Sequence, residues 1–217
     1  MVLSWSGGKD SALALDVLRA GATPVSGLLT TVTDGVERVS MHGVRRTLVH
    51  AQAAALGLPV HEVRLSQASS NAEYDRAMAG ALARLRDEGV DRIAFGDLHL
   101  AEVRAYRESR LTGSGVTPLF PVWGEDTATF VGAFVEVGYR AVVVCVDGEQ
   151  LDPAFCGREL DERFLADLPA DVDPAGENGE YHTFVYDGPP FPAPIAWRPG
   201  EQVTRGGRFR YQDLLPA

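Results

Sequence analysis

Residues 2–15, Val-Leu-Ser-Trp-Ser-Gly-Gly-Lys-Asp-Ser-Ala-Leu-Ala-Leu, constrain the fold more than any other stretch of the chain. Val2 and Leu3 read as the end of a short buried strand. Ser6 to Lys9 turn, and Asp10 or Ser11 starts a helix whose Ala12, Leu13, Leu15, Val17 and Leu18 face a sheet. Gly7 and Gly8 lack Cβ atoms, so backbone N–H groups can close on an anion. The helix N-terminus behind them adds about half a positive charge. Ser6 and Ser11 add hydroxyls and Lys9 a full charge, which together make a phosphate cradle.

Two common phosphate loops do not fit. Lys9 is followed by Asp10, not by the Ser or Thr of G-x-x-x-x-G-K-[ST], and the G-x-G-x-x-G dinucleotide pattern is absent. The Ser6–Ser11 hexapeptide S-G-G-K-D-S resembles instead the pyrophosphate loop of the N-type ATP pyrophosphatases, S-G-G-x-D-S. Of the 20 basic residues, 19 are arginine and only Lys9 is lysine. A compact point charge is selected at this one position, where every other basic position carries a planar fork.

The 217 residues make one large domain, or one domain with a smaller companion, and are enough for a sizeable core. Hydrophobic content of 45% and charged content of 23% are globular averages. No apolar run approaches the roughly 20 residues of a membrane span, and with a strand opening the sequence no signal peptide is expected. Cys145 lies in an apolar run and Cys156 in a loop; two such cysteines do not make a disulfide framework, which favours the cytoplasm. The net charge of −10 disfavours a nucleic-acid footprint. With no C-x-x-C, H-E-x-x-H or EF-hand loop, no resident metal site is expected.

Further along, Thr23 to Val32 is predicted as the second strand and Val44 to Leu56 as a helix with Val44, Leu48, Ala51 and Ala55 on its apolar face. His42 precedes that helix, placed either for a nucleotide or substrate contact or for a helix N-terminus. Val60–Leu65 is the third strand, Asn71–Glu88 an amphipathic helix, and Arg92–Phe95 the fourth strand. Gly96 and Asp97 follow that strand directly, at the carboxyl edge where α/β sheets bind ligands. Asp97 suits Mg²⁺ or a substrate amine, or a cap on the next helix. Arg104 and Arg107 share a face with Glu108, reaching toward phosphate or forming surface ion pairs. Pro118 to Trp123 closes the first part, Asp126 caps a helix through Val137, and Tyr139–Val146 is a buried strand. A short helix is expected to begin at Gly157–Asp161, where Arg158, Glu159 and Asp161 are either a substrate patch or a helix start. Gly176-Glu177-Asn178-Gly179-Glu180-Tyr181-His182-Thr183 collects carboxylates suited to an ammonium or an amine nucleophile and runs into a strand. Gln202–Leu214 reads as a hairpin turning at Gly206-Gly207.

Taken in order, S-G-G-K-D-S, Gly96-Asp97 with Arg104 and Arg107, P-L-F-P-V-W and G-E-N-G-E-Y-H-T resemble the diphthine–ammonia ligase family, over nearly the whole chain. The last motif is close to the family's E-G-G-E-[FY]-x-T; Asn178 and His182 depart from residues often found in eukaryotic members. The resemblance implies an adenine nucleotide α-hydrolase-like fold: a parallel twisted sheet of about five strands with helices on both faces, over residues 1–123. A smaller α+β part on the substrate side follows, over residues 124–217. It implies ATP with Mg²⁺, held by Ser6, Gly7, Gly8, Lys9, Asp10, Ser11, His42, Gly96, Arg104 and Arg107, with adenine against the backbone near Thr30. It implies attack of a carboxylate on the α-phosphate, release of pyrophosphate into the cradle, and amide formation with ammonia. Lys9, Asp10, Asp97, Glu177 and Glu180 carry that chemistry, the last two holding ammonium or steering ammonia. The partners implied are a small-molecule or protein carboxylate and ammonia, with no nucleic acid or membrane and with room for a homodimer. The alternatives are a tRNA-modifying ATP pyrophosphatase and a non-catalytic ATP- or AMP-binding module.

Overall fold

A computed structural model describes residues 1–21, 24–67 and 69–217. Its larger sheet holds six strands. Five are parallel: β1 (Val2–Ser4), β2 (Gly27–Thr33), β4 (Val60–Leu65), β5 (Arg92–Ala94) and β6 (Thr117–Leu119), in the order β4-β2-β1-β5-β6. β3 (Arg38–Val39) folds back antiparallel on the end of β2. The expected start of the second strand at Thr23 lies outside the described residues, and the strand itself begins at Gly27. The proline-fixed segment expected from Pro118 onward opens as strand β6. Pro118 is tolerated there because β6 is an edge strand paired only to β5, so its missing N–H leaves no ladder bond broken.

Chain order reverses between β1 and β5, since β1 leads to β2 on one side and β5 to β6 on the other. That reversal opens a crevice at the carboxyl ends of β1 and β5. The period-2 alternation of the strands sets the two faces. Leu3 and Leu28 join one core with α1 (Lys9–Ala20) and α2 (Arg46–Leu56). Val2, Leu29, Val63 and Ile93 join another with α3 (Asn71–Asp87) and Leu111 of α4 (Ala101–Leu111). Val17, expected on the sheet side of α1, is 49% exposed. Of the predicted Val44, Leu48, Ala51 and Ala55, the first two are buried and the two alanines half-buried; the buried face of α2 is Leu48, Val49, Gln52, Ala53 and Leu56, so that one glutamine is buried among apolar neighbours.

A second, antiparallel sheet follows, in the order β8-β7-β10-β9: β7 (Arg140–Asp147), β8 (Tyr181–Asp187), β9 (Trp197–Arg205) and β10 (Phe209–Pro216). Before it, α5 (Thr127–Glu136) starts at Asp126, whose side chain accepts from Thr129 N. Gly157–Leu160 is not helical; α6 spans Glu162–Asp167, with Asp161 as its N-cap. The β7–β8 sheet packs on the α1–α2 side of the parallel sheet, and Leu3, Trp5, Leu15, Phe134, Val142 and Phe184 belong to one continuous core.

Candidate functional site

The turn after β1 is held from three directions. Trp5 N donates to Leu29 O at 2.8 Å, and Val185 N of β8 donates to Gly7 O at 2.9 Å. Gln52 of α2 supplies the third hold: its Nε2 donates to Gly7 O (3.0 Å) and Val185 O (2.5 Å), and its Oε1 accepts from Trp5 Nε1 (2.9 Å). Gly7 has φ +82°, and a Cβ there would fall 2.6 Å from Gln52 Oε1, so a side chain is refused twice over. Gly8 is the N-cap of α1 and makes no side-chain cap bond. Two cradle amides already have partners: Gly8 N donates to Ser6 Oγ at 3.3 Å and Lys9 N to Thr183 Oγ1 at 3.1 Å. Ser11, expected to donate to phosphate, instead gives its hydroxyl to Gly8 O at 2.8 Å.

Lys9 is only 2% exposed. Its Nζ donates to Asp10 Oδ2 at 3.1 Å, lies 2.9 Å from Asp10 Oδ1, and sits 5.2 Å from the centre of the Tyr181 ring. Asp10 Oδ1 is buried and touched by this ammonium without hydrogen-bond geometry. The end of β5 presses on the same turn: a Cβ on Gly96 would lie 2.9 Å from the Asp10 backbone, so only glycine permits the approach. Asp97 next to it takes two bonds from Arg107 of α4, at 2.6 and 3.0 Å, and does not cap α4, whose N-cap is Leu100. The Arg107 guanidinium lies over the Phe95 ring at 4.3 Å.

These groups border a cavity of about 360 Å³ at the chain-reversal crevice, within the range of ligand pockets. Ser6, Lys9, Asp10, Ser11, His42, Gly96, Asp97, Arg107 and Glu177 all line it. Its apolar wall is Leu29, Tyr74, Met78, Leu100 and Val103. Glu177 Oε2 accepts from Leu98 N at 3.2 Å. Burial, then the nearby Asp10 charge, push the Glu177 carboxyl up to about 7, with Lys9 opposing. His42 and His182 lie side by side with ring centroids 4.5 Å apart and their planes tilted by 30°. Burial holds His42 down near 4 and His182 well below its ordinary value.

Five of the expected residues do not line the cavity: Gly7 and Gly8 form the turn behind it, and Glu180, Arg104 and Thr30 stand elsewhere. Glu180 is turned into its own loop, where it accepts from Asp173 N (3.1 Å), Asn178 N (2.9 Å) and Asn178 Nδ2 (3.0 Å). It shapes the Gly176–Gly179 turn and does not line the cavity. Arg104 pairs with Glu108 at 2.8 Å and lies over Phe120 and Trp123 at 4.8 and 4.7 Å, away from the cavity. Thr30 is buried, and its neighbours Leu29 and Thr31 line the cavity while it does not, because successive strand side chains alternate. The carbonyls of Leu29 and Thr31 already accept from Trp5 and Ser40, so this strand end offers few backbone groups to a base. Arg158, Glu159 and Asp161 are structural: Arg158 pairs with Asp167 at 2.7 Å, Glu159 accepts from Tyr186 OH at 2.7 Å, and Asp161 caps α6.

Gln52 went unnoticed in the sequence, although one polar residue at a core position of α2 is a signal in itself, since burying an amide requires partners. Tyr181 and Thr183 were visible only as part of a motif. Among the described residues there is no group of three or more His, Cys, Asp or Glu that could hold a metal ion, and no helix is long and apolar enough to cross a membrane.

A family model described as the diphthamide synthase N-terminal domain matches residues 1–118. A second, described as the diphthamide synthase C-terminal domain, matches residues 126–204. Comparison of the whole chain with curated proteins gives no match.

Proposed function

This chain belongs to the diphthamide synthase family, and on that premise we propose that it activates a carboxylate with ATP and turns it into an amide with ammonia. The family makes it a diphthine–ammonia-ligase-like, ATP-using enzyme. The observation that carries the finer reading is a buried lysine at a glycine-bounded helix N-terminus, lining the same cavity as a carboxyl that titrates near neutrality.

In this reading an acceptor carboxylate oxygen attacks the α-phosphorus of ATP. The bond from that phosphorus to the β-bridging oxygen breaks, and pyrophosphate leaves onto the Ser6–Ser11 turn. Charge grows on the leaving oxygen, and Lys9 and the α1 N-terminus are fixed beforehand where they stabilise it. Ammonia then forms the C–N bond, gives up a proton, and AMP departs. Glu177 is suited to take a proton from ammonium, because a carboxyl titrating near 7 both binds and releases protons at working pH. Glu180 acts one step back, by fixing the loop that presents Glu177. Bound to the phosphates, Mg²⁺ would neutralise charge. Asp97, which lines the cavity, would hold it by sharing with the ion the oxygens it now offers to Arg107.

The test is product identity. The protein is incubated with α-labelled ATP, Mg²⁺, ammonium, and either a diphthine-bearing peptide or a panel of small carboxylic acids. AMP and pyrophosphate with amide product support the reading; ADP and phosphate contradict it. Binding of ATP without cleavage under every acceptor would favour a nucleotide-binding module.

A further inference from the structure

At about 360 Å³ the cavity described above is near the lower end for a single ligand, so a nucleotide fills it and an acceptor extends beyond it. A second cavity of about 370 Å³ adjoins it, and Val39, Ser40 and Met41 line both. Thr31 borders the first and Thr33 the second; these two β2 side chains share one face of the strand, roughly 7 Å apart. Among the described residues no Asp or Glu lines the second cavity, whereas Arg38 and Arg205 both do. We propose that the second cavity holds a further carboxylate of the acceptor while the reacting carboxylate reaches into the first. The acceptor is then a small dicarboxylic acid whose two charged ends are at least roughly 7 Å apart. The proposal rests on the ligase reading given above.

The charges favour such a guest. Arg38 shares Asp213 with Arg45, at 2.8 and 2.7 Å, so these three side chains keep one net positive charge. Asp213 and Glu201 line the recess beyond the second cavity, not the cavity itself. Arg205 makes no ion pair among the described residues; its guanidinium lies 5.4 Å from the Tyr211 ring centre, which orients it without neutralising it. Tyr211 is itself fixed against Gly43, where φ is +70° and a Cβ would stand 2.8 Å from its Cδ1. One unpaired guanidinium matches the single charge and planar shape of a carboxylate. Thr33 and Ser40 join their hydroxyls at 3.2 Å, and since one donates to the other, one O–H is left for a guest oxygen. A chain of net charge −10 repels acids, so a cationic wall is where one is admitted. Met41, 71% exposed, gives the linking carbons an adaptable apolar threshold between the two cavities.

Calorimetry tests this apart from turnover. The full chain, loaded with α,β-methylene-ATP and Mg²⁺, is titrated with the straight-chain α,ω-dicarboxylic acids from glutaric to sebacic and with the monomethyl ester of each. The expected result is an optimum chain length at which the diacid binds about tenfold or more tighter than its ester. That preference should shrink to about twofold or less in Arg205→Gln. It should persist in Arg210→Gln, on the neighbouring strand but outside the cavity. The chain-length optimum of the unmodified protein gives its answer independently of how the variants fold. Diacids that bind no tighter than their esters at any length, or a preference that survives Arg205→Gln, would overturn the inference; the function stands if AMP and amide still form. ADP and phosphate as the products would overturn the ligase reading and this inference with it.

Discussion

Lys9 and Glu177 define what single side chains contribute. Replacing Lys9 by Ala leaves the half-buried Asp10 carboxylate, whose Oδ1 is shielded from solvent, unpaired and removes the fixed charge beside the leaving group. AMP formation should fall by about 10²–10³-fold and stability by about 3 kcal/mol, read by product assay and chemical denaturation. Glu177 has a pH signature. Its carboxyl titrates at about 7 in the folded chain against an ordinary 4.5, so the folded state keeps a proton that the unfolded state has lost. That stabilisation is complete below pH 4.5 and disappears as pH rises through 7. Glu177→Gln should therefore match the parent near pH 4 and exceed it at pH 8 by on the order of 1–2 kcal/mol in urea melts. His42 runs the other way: held near 4, it favours the folded state above about 6.5 and ceases to as pH falls through 4. Residue types were legible in the sequence, but their directions were not. Glu177 and Glu180 are three apart in one motif, yet one lines the cavity and the other ties its own loop. Only the backbone path of the Gly176–Gly179 turn separates them.

At the scale of elements, the β1–α1 turn could be placed from its pattern because glycines, strand and helix periodicity agree there. β3 and β6 were missed for opposite reasons. β3 has two residues and no room for periodicity, whereas β6 carries a proline that argues against a central strand and is permitted only at the edge. The full extent of the buried α2 face was hidden by alanines, which are equally at home inside and outside. It matters because it puts Gln52 where it bonds Trp5, Gly7 and Val185, locking the cradle to both sheets. Gln52→Ala should cost about 2–4 kcal/mol of stability, because the Trp5 indole N–H and two carbonyls lose their partner, and should weaken ATP binding in calorimetry even below the melting temperature. Gly96→Ala has a narrower expected effect. The added methyl meets the Asp10 backbone at 2.9 Å, so α1 must shift at its first turn and ATP affinity should fall while the far end of the sheet is undisturbed.

At the scale of the molecule, the boundary expected near residue 123 separates two sheets but not two cores. Leu3, Trp5, Leu15 and Leu48 are shielded in one cluster with Phe134, Val142 and Phe184, and each such side chain gains about 1.5–3 kcal/mol from burial. A 1–123 fragment should thus lack a cooperative melt by circular dichroism, while the whole chain unfolds in one transition followed equally by tryptophan fluorescence. The cavity has the same dependence: its cradle is from the first sheet's β1–α1 turn, and Glu177, Tyr181 and His182 are from the second half. The most direct test of the central claim is a crystal structure with the non-cleavable analogue α,β-methylene-ATP and Mg²⁺. The β- and γ-phosphates should lie on Gly7–Ser11, with Lys9 Nζ in hydrogen-bond range and the α-phosphate turned toward Glu177. Phosphates bound away from that turn, or a base in its place, would contradict the account.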